Sequence, residues 1–131
     1  MSCSDMSLLD HGIRVIGDGY RRHKWSPVEV VDAALRRIEL FDPALHAWVL
    51  VDAERALRAA KQAEQELISG TDLGPLHGIP VGIKDIFDVA GWPTRCGSAA
   101  RDDAGPATRN AWSVQALIDG GAARHHAPIG P

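Results

Sequence analysis

Cysteine, aromatic residues and long apolar runs are all scarce in this chain, and each shortage closes off a class of protein. Two cysteines in 131 residues, Cys3 and Cys96, are too few and too far apart for a disulfide framework or a thiolate metal site. Aromatic residues are 5% of the chain against an apolar total of 45%, so the expected core is aliphatic. No apolar run approaches the roughly 20 residues that span a bilayer, and no basic stretch followed by an apolar one opens the chain. The expectation is a cytoplasmic protein without membrane contact. Positive charge is short as well. The formal net charge is −3, and the one basic cluster, Arg21 to Lys24, reads as a solvated connection between helices. A nucleic-acid surface is therefore not expected.

Phosphate and metal motifs are also missing. Neither Gly17-x-Gly19 nor Gly78-x-x-x-Gly82 continues into the Gly-Lys-Ser/Thr of a phosphate loop, and the adjacent His125 and His126 do not match the i, i+4 pairing of a helical zinc site. No cofactor is implied.

What is present is an alternation of helix and strand signals in a chain the size of one domain or part of one. Leu8, Leu9, Ile13 and Ile16 recur at helical spacing from Ser7 to Gly19, with Ser7 and Asp10 suited to cap the start and Gly17 and Gly19 to end it. Ser26, Pro27 and Glu29 form a capping box with proline at the first helical position, opening a helix with Val30, Val31, Ala34, Leu35 and Ile38 as its apolar stripe. Asp42-Pro43 should stop that helix. The run Leu45 to Val51 reads as a strand covered on both faces, with His46 structural. Asp52 caps a third helix, which buries Ala53, Ala56, Leu57, Ala60, Leu67 and Ile68, turns charged residues such as Glu66 to solvent, and ends at Ser69-Gly70. A short helix is expected over Asn110 to Ile118, closed by Gly120-Gly121. Beyond Ala122 the residues 123–131 carry no strand pattern and read as a divergent tail.

The most informative stretch runs from Gly74 to Ser98. Gly74-Pro75 marks a turn, Pro80 can open a strand, and from Val81 the side chains alternate. Val81, Ile83, Asp85 and Phe87 share one face; Gly82, Lys84 and Ile86 share the other. Lys84 thus sits in an apolar segment, with open space beside it at Gly82. Two readings follow. Its stem can lie along apolar surface with the ammonium reaching water, Asp85 or Asp88. Alternatively, desolvation favours the neutral amine, which then serves as base or nucleophile.

The run Gly78-Ile-Pro-Val-Gly-Ile-Lys84-Asp85, with Gly74-Pro-Leu-His before it and Asp88-Val-Ala-Gly-Trp-Pro-Thr and Gly97-Ser98 after it, resembles the lysine segment of the amidase signature family. The likeness covers most of the chain to about Ala122 and is strongest from Ser26 to Ser98. It implies an α/β class and the N-terminal part of an α/β/α fold, with a mixed sheet covered by helices. It also implies hydrolysis of an amide C–N bond through an acyl-enzyme, with a Ser-cisSer-Lys triad in which Lys84 is the general base. The substrate would be a small-molecule amide, and the chemistry needs neither metal nor nucleotide. In the family a Gly- and Ser-rich loop supplies both serines and the oxyanion amides, and these 131 residues contain no such loop. Residues 1–122 then correspond to the N-terminal portion of an amidase domain, and 123–131 to a truncation or shifted frame, with the chain inactive alone. Cys96 has no histidine nearby in sequence, and Ser98 belongs to the lysine segment, so neither is assigned catalysis. Two alternatives remain: a fragment of the A-type subunit of a glutamine-dependent tRNA amidotransferase, and a non-enzymatic remnant that acts only by association.

Overall fold

Local chemistry at Ser26 starts the longest helix. In a computed structural model describing residues 8–122 and the strand His126–Ile129, the Ser26 side chain accepts from the Glu29 N–H while Glu29 accepts from the Ser26 N–H, a closed capping box with Pro27 at the first turn. The elements in chain order are α1 (Ile13–Arg21), α2 (Pro27–Leu45), α3 (Ala53–Ile68), β1 (Val81–Lys84), a 3-10 turn (Ala99–Arg101), α4 (Trp112–Asp119) and β2 (His126–Ile129). α2 packs against α3. Asp52 caps α3 by accepting from the Arg55 N–H, and Gly70, with φ +89°, lets the chain leave beyond Ser69.

β1 and β2 pair in parallel, with Val81 opposite His126 and Lys84 opposite Ile129. The stretch 126–129, read from sequence as part of a strandless tail, is thus a strand backbone. Two β-branched residues of β1 and an adjacent parallel partner outweigh the weak local pattern of His126–Ile129. Among the described residues the sheet is this parallel pair, and antiparallel contact is confined to single bridges, His77 with Ala122 and Pro93 with Pro106.

Three other expectations are corrected. Gly17 and Gly19 lie inside α1 rather than at its end, and Gly12 takes the N-cap place without a side-chain cap. Gly19 is buried beneath Trp25, whose Nε1–H donates to the Ile16 carbonyl at 3.0 Å; the glycine makes room for the indole. The Ser7 cap lies outside the described residues. Second, α2 runs through Pro43 to Leu45, because a proline this close to the C-terminus removes one N–H and only two helical residues follow it. Third, Leu45 to Val51 is not a strand covered on both faces: Val49, Leu50 and Val51 are exposed, and Trp48 alone is a bridge position. His46 takes φ +50° and its N–H returns to the Asp42 carbonyl, while one Asp42 carboxylate oxygen accepts from the N–H groups of Ala47 and Trp48. The donors a strand would have used are spent on the helix end.

The buried residues fall into two clusters. Ile16, Tyr20, Val30 and Ile79 join α1 and α2 to the segment before β1; Ile83, Val89, Trp92 and Val114 join β1 to α4. Tyr20 and Trp92 give each cluster an aromatic member. On α3, Ala60 and Ala63 are buried, whereas Ala53 and Ile68, expected inside, are exposed. The α1 end is tied to the segment before β1 by Arg21, which donates through Nε and Nη2 to Asp72 and through Nη2 to the Gly74 carbonyl. This positions the strand that carries Lys84.

Candidate active site at the end of the first strand

Lys84 is the last residue of β1 and is exposed. The alternation predicted from Val81 holds through Asp85: Ile83 and Asp85 are buried while Gly82, Lys84 and Ile86 face outward. It fails at Phe87, which is 43% exposed, because the chain turns as soon as the strand ends. The N–H groups of Ile86 and Phe87 both donate to the Lys84 carbonyl, at 2.8 and 3.1 Å. The low-polarity surroundings that the catalytic reading of Lys84 calls for are therefore not supplied by the described residues. Burial falls instead on its neighbour Asp85.

Asp85 is 5% exposed, the most enclosed carboxylate at this end of the strand. Its Oδ1 accepts from the Arg95 N–H at 3.1 Å, and its backbone carbonyl accepts from the Cys96 N–H at 2.9 Å. Its Oδ2 is buried without a hydrogen-bond partner. Asp88 makes a second tie to the same loop, its Oδ1 accepting from the buried Thr94 hydroxyl at 2.7 Å. Arg101 Nε then donates to the Thr94 carbonyl at 2.8 Å. Sequence reading offered Asp85 and Asp88 as partners for the lysine; the structure commits an oxygen of each to the loop 94–96. The signal was the alternation itself, which put Asp85 on the face of Ile83. Cys96, in the left-handed region at φ +58°, is exposed. Ser98 is exposed, and its N–H closes a turn onto the Arg95 carbonyl.

A second polar centre was missed altogether. His77 is 2% exposed: the Leu73 N–H donates to its Nδ1 at 3.2 Å, which leaves Nε2 to donate to Glu66 Oε2 at 2.9 Å. Glu66, read as solvent-facing, thus ties α3 to the segment leading into β1. Its partner lies eleven residues along, beyond any helical spacing.

An open apolar groove of about 540 Å³ runs between α2 and α3 and reaches the beginning of β1 at Pro80, Val81 and Gly82. Leu35, Ile38, Phe41 and Val51 line its wall, and Lys84 lies outside it. Among the described residues no cluster of three histidine, cysteine or acidic side chains is arranged to hold a metal ion, and no helix is long and apolar enough to cross a membrane.

Comparison with known proteins places this geometry in context. The amidase family profile matches residues 29–124, a span that contains all but the first two residues of α2, together with α3, β1, the loop 94–96 and α4. The A-type subunit of glutamyl-tRNA(Gln) amidotransferase from Geobacter metallireducens is 42% identical over 98 residues, which is 75% of this chain and 20% of that protein. Its counterpart from Acidothermus cellulolyticus, of the same name, is 49% identical over 73 residues, 56% of this chain and 14% of that protein. The chain therefore spans about a fifth or less of the curated relatives it matches. Among solved structures, an amidase superposes with a TM-score of 0.82 at 30% identity, covering 92% of this chain and 27% of its own. The peptide amidase of Stenotrophomonas maltophilia superposes with a TM-score of 0.76 at 27% identity, covering 90% and 23%. With the profile match extending over most of the chain, and the lysine strand and its loop inside it, this chain belongs to the amidase family, the amidase-signature enzymes.

Proposed function

We propose that this chain is the lysine-bearing part of an enzyme that hydrolyses an amide C–N bond through an acyl-enzyme, with Lys84 as its general base. The observation that carries the reading is the place of Lys84: an exposed residue at the end of a parallel strand, inside the matched segment, on a turn fixed by its own carbonyl. A lysine at a strand end projects where other polypeptide can approach it, and its amine can accept a proton from a hydroxyl brought within hydrogen-bond reach. That hydroxyl, on the bridging serine, would in turn take the proton of the nucleophilic serine, whose oxygen attacks the amide carbon; the proton would pass to the departing nitrogen, and water would then hydrolyse the acyl-enzyme. The nucleophilic serine, the second serine and the oxyanion donors come from polypeptide outside these 131 residues, which also gives Lys84 its water-poor setting. By this reading the chain alone does not turn over an amide.

The narrower reading, an A-type subunit of a glutamine-dependent tRNA amidotransferase, is favoured by the identities of 42% and 49% to proteins of that name. It implies glutamine as the amide and other subunits as partners.

The test is a chimaera in which residues 29–122 replace the matched stretch of the Geobacter protein, assayed for glutamine hydrolysis beside a Lys84→Ala version. The expected result is a loss of at least about a thousandfold on substitution, as for removal of a member of a catalytic triad. An equally active Lys84→Ala chimaera would refute the assignment. A rate in the 131-residue chain that disappears in its Lys84→Ala version would overturn the placement of the nucleophile elsewhere.

A further inference from the structure

We propose that Asp85 is a positioning residue for Lys84: it pins the Arg95–Cys96 turn to the end of β1 and so fixes the strand end from which the lysine projects. Two arms of one residue make the clasp. The carboxylate Oδ1 takes the Arg95 N–H at 3.1 Å and the backbone carbonyl takes the Cys96 N–H at 2.9 Å, so consecutive amides of the loop are held by the residue immediately after the lysine. The carboxylate sits on the buried face beside Ile83, while Lys84 leaves on the other, so Asp85 acts on the lysine through the backbone. A β-strand of four residues frays readily at its end, and here the last residue is the one whose direction matters. The clasp, together with the two N–H groups that return to the Lys84 carbonyl, holds that end in one conformation.

The second carboxylate oxygen sharpens the argument. Oδ2 is buried without a hydrogen-bond partner, and a buried polar atom left unmet is costly. The clasp uses one oxygen, which a neutral asparagine side chain also supplies. Asp85→Asn therefore keeps both arms of the pin, whereas Asp85→Ala removes the side-chain arm and leaves the backbone one. The neighbouring tie from Thr94 to Asp88 offers a control: Thr94→Val loosens the same loop without touching Asp85 or its two bonds.

This proposal rests on the role given to Lys84, yet it is tested without turnover, so an inactive chain still gives a readable answer. Lys24, Lys61 and Lys84 are the chain's only lysines. Trace labelling with an amine-reactive ester, quantified by peptide mass spectrometry against Lys24 and Lys61, reads the setting of the Lys84 amine. Amide hydrogen exchange at Arg95 and Cys96 reads the clasp. In Asp85→Ala the Arg95 amide loses protection while Cys96, held by the backbone carbonyl, keeps more of its own, and Lys84 labels about fivefold faster relative to the other two lysines, the change expected from one lost hydrogen bond. Asp85→Asn and Thr94→Val stay within twofold of the unmodified chain. If Asp85→Ala gives no cooperative melt, Asp85→Ser, whose hydroxyl is too short to reach Arg95, takes its place with the same expectation. Unchanged Lys84 labelling in the folded Ala or Ser variant overturns the proposal, as does a Thr94→Val effect equal to theirs or an asparagine variant that behaves like alanine.

Discussion

Gly19 sets up the sharpest stability test in the molecule. The methyl group of an alanine there would lie 2.1 Å from Nε1, 2.2 Å from Cε2 and 2.5 Å from Cζ2 of Trp25. No carbon tolerates such distances, so the indole must move. The move breaks the Trp25 Nε1–H bond to the Ile16 carbonyl, worth about 1 kcal/mol. It also disturbs the stacking of His11, at 5.5 Å, and the Lys24 ammonium 4.4 Å from the same ring. Forcing a methyl into a filled space costs about 1–3 kcal/mol, and replacing glycine in a helix returns about 1 kcal/mol. The expected net loss for Gly19→Ala is about 2 kcal/mol, or a fall of roughly 1 M in the urea midpoint followed by circular dichroism. Gly17→Ala, two residues earlier in the same helix, meets Arg21 Nη1 at 3.0 Å and the Pro75 carbonyl at 3.5 Å, so the guanidinium need give only a few tenths of an ångström, and the variant should lie within about 1 kcal/mol of neutral. Equal midpoints for the two variants, or a stabilised Gly19→Ala, would refute the account of Gly19 as the seat of Trp25.

Two pH dependences follow from the folded environment. Burial pushes the phenol of Tyr20, the chain's only tyrosine, well above its ordinary range, and its hydroxyl donates to the Gly78 carbonyl at 3.2 Å. The folded state thus keeps a proton that the unfolded state gives up near pH 10, so stability falls as pH rises past about 10. Phenolate absorbance should appear only as the chain unfolds, and Tyr20→Phe should flatten that alkaline decline. A reversible phenolate titration in the folded chain near pH 10 would contradict the burial argument. The Arg21 hydrogen bond, then the Gly74 N–H, hold the Asp72 carboxyl below the usual carboxylate range. Its contribution is present above about pH 4 and is lost as pH falls through the lowered value. Because the pair is partly exposed, the effect is modest and salt-sensitive: Asp72→Asn should reduce the acid-side slope of stability, more at low ionic strength than high. An identical slope in both chains at low salt would show that Arg21 and Asp72 are not coupled to folding.

The features readable from sequence are those whose chemistry closes within a few residues. Ser26 and Glu29 satisfy each other across three positions, Asp52 reaches Arg55, and Gly70 supplies a left-handed turn; each was visible in the letters. The strand at Val81 was visible for the same reason, through its alternation and its proline. What escaped depended on partners far along the chain. Gly19 looks like a helix stop until Trp25 is laid over it, and Glu66 looks solvated until His77 arrives. The strand at 126–129 has a weak pattern of its own and is defined by β1. At the candidate site, Lys84 was singled out through its segment, and that segment also fixed the face on which Asp85 lies. The loop that Asp85 holds begins ten residues later, and nothing in the spacing joins Arg95 to it.

The pairing of β1 with β2 also orders events in time. Each bridge in that register joins the lysine strand to residues synthesised 45 positions later, with α4 in between. As the chain leaves the ribosome, α2 and α3 can close their caps and Arg21 can reach Asp72 before any of those partners exist. β1 must wait, with its backbone donors and acceptors open, until residues 126–129 emerge. Long-range parallel pairing is intrinsically slow, and an unpaired strand edge in that interval is a site for misassociation. Among the described elements the lysine strand is therefore the last to find its partner, and a pause in translation just before β2 should expose it to chaperones or to neighbouring nascent chains.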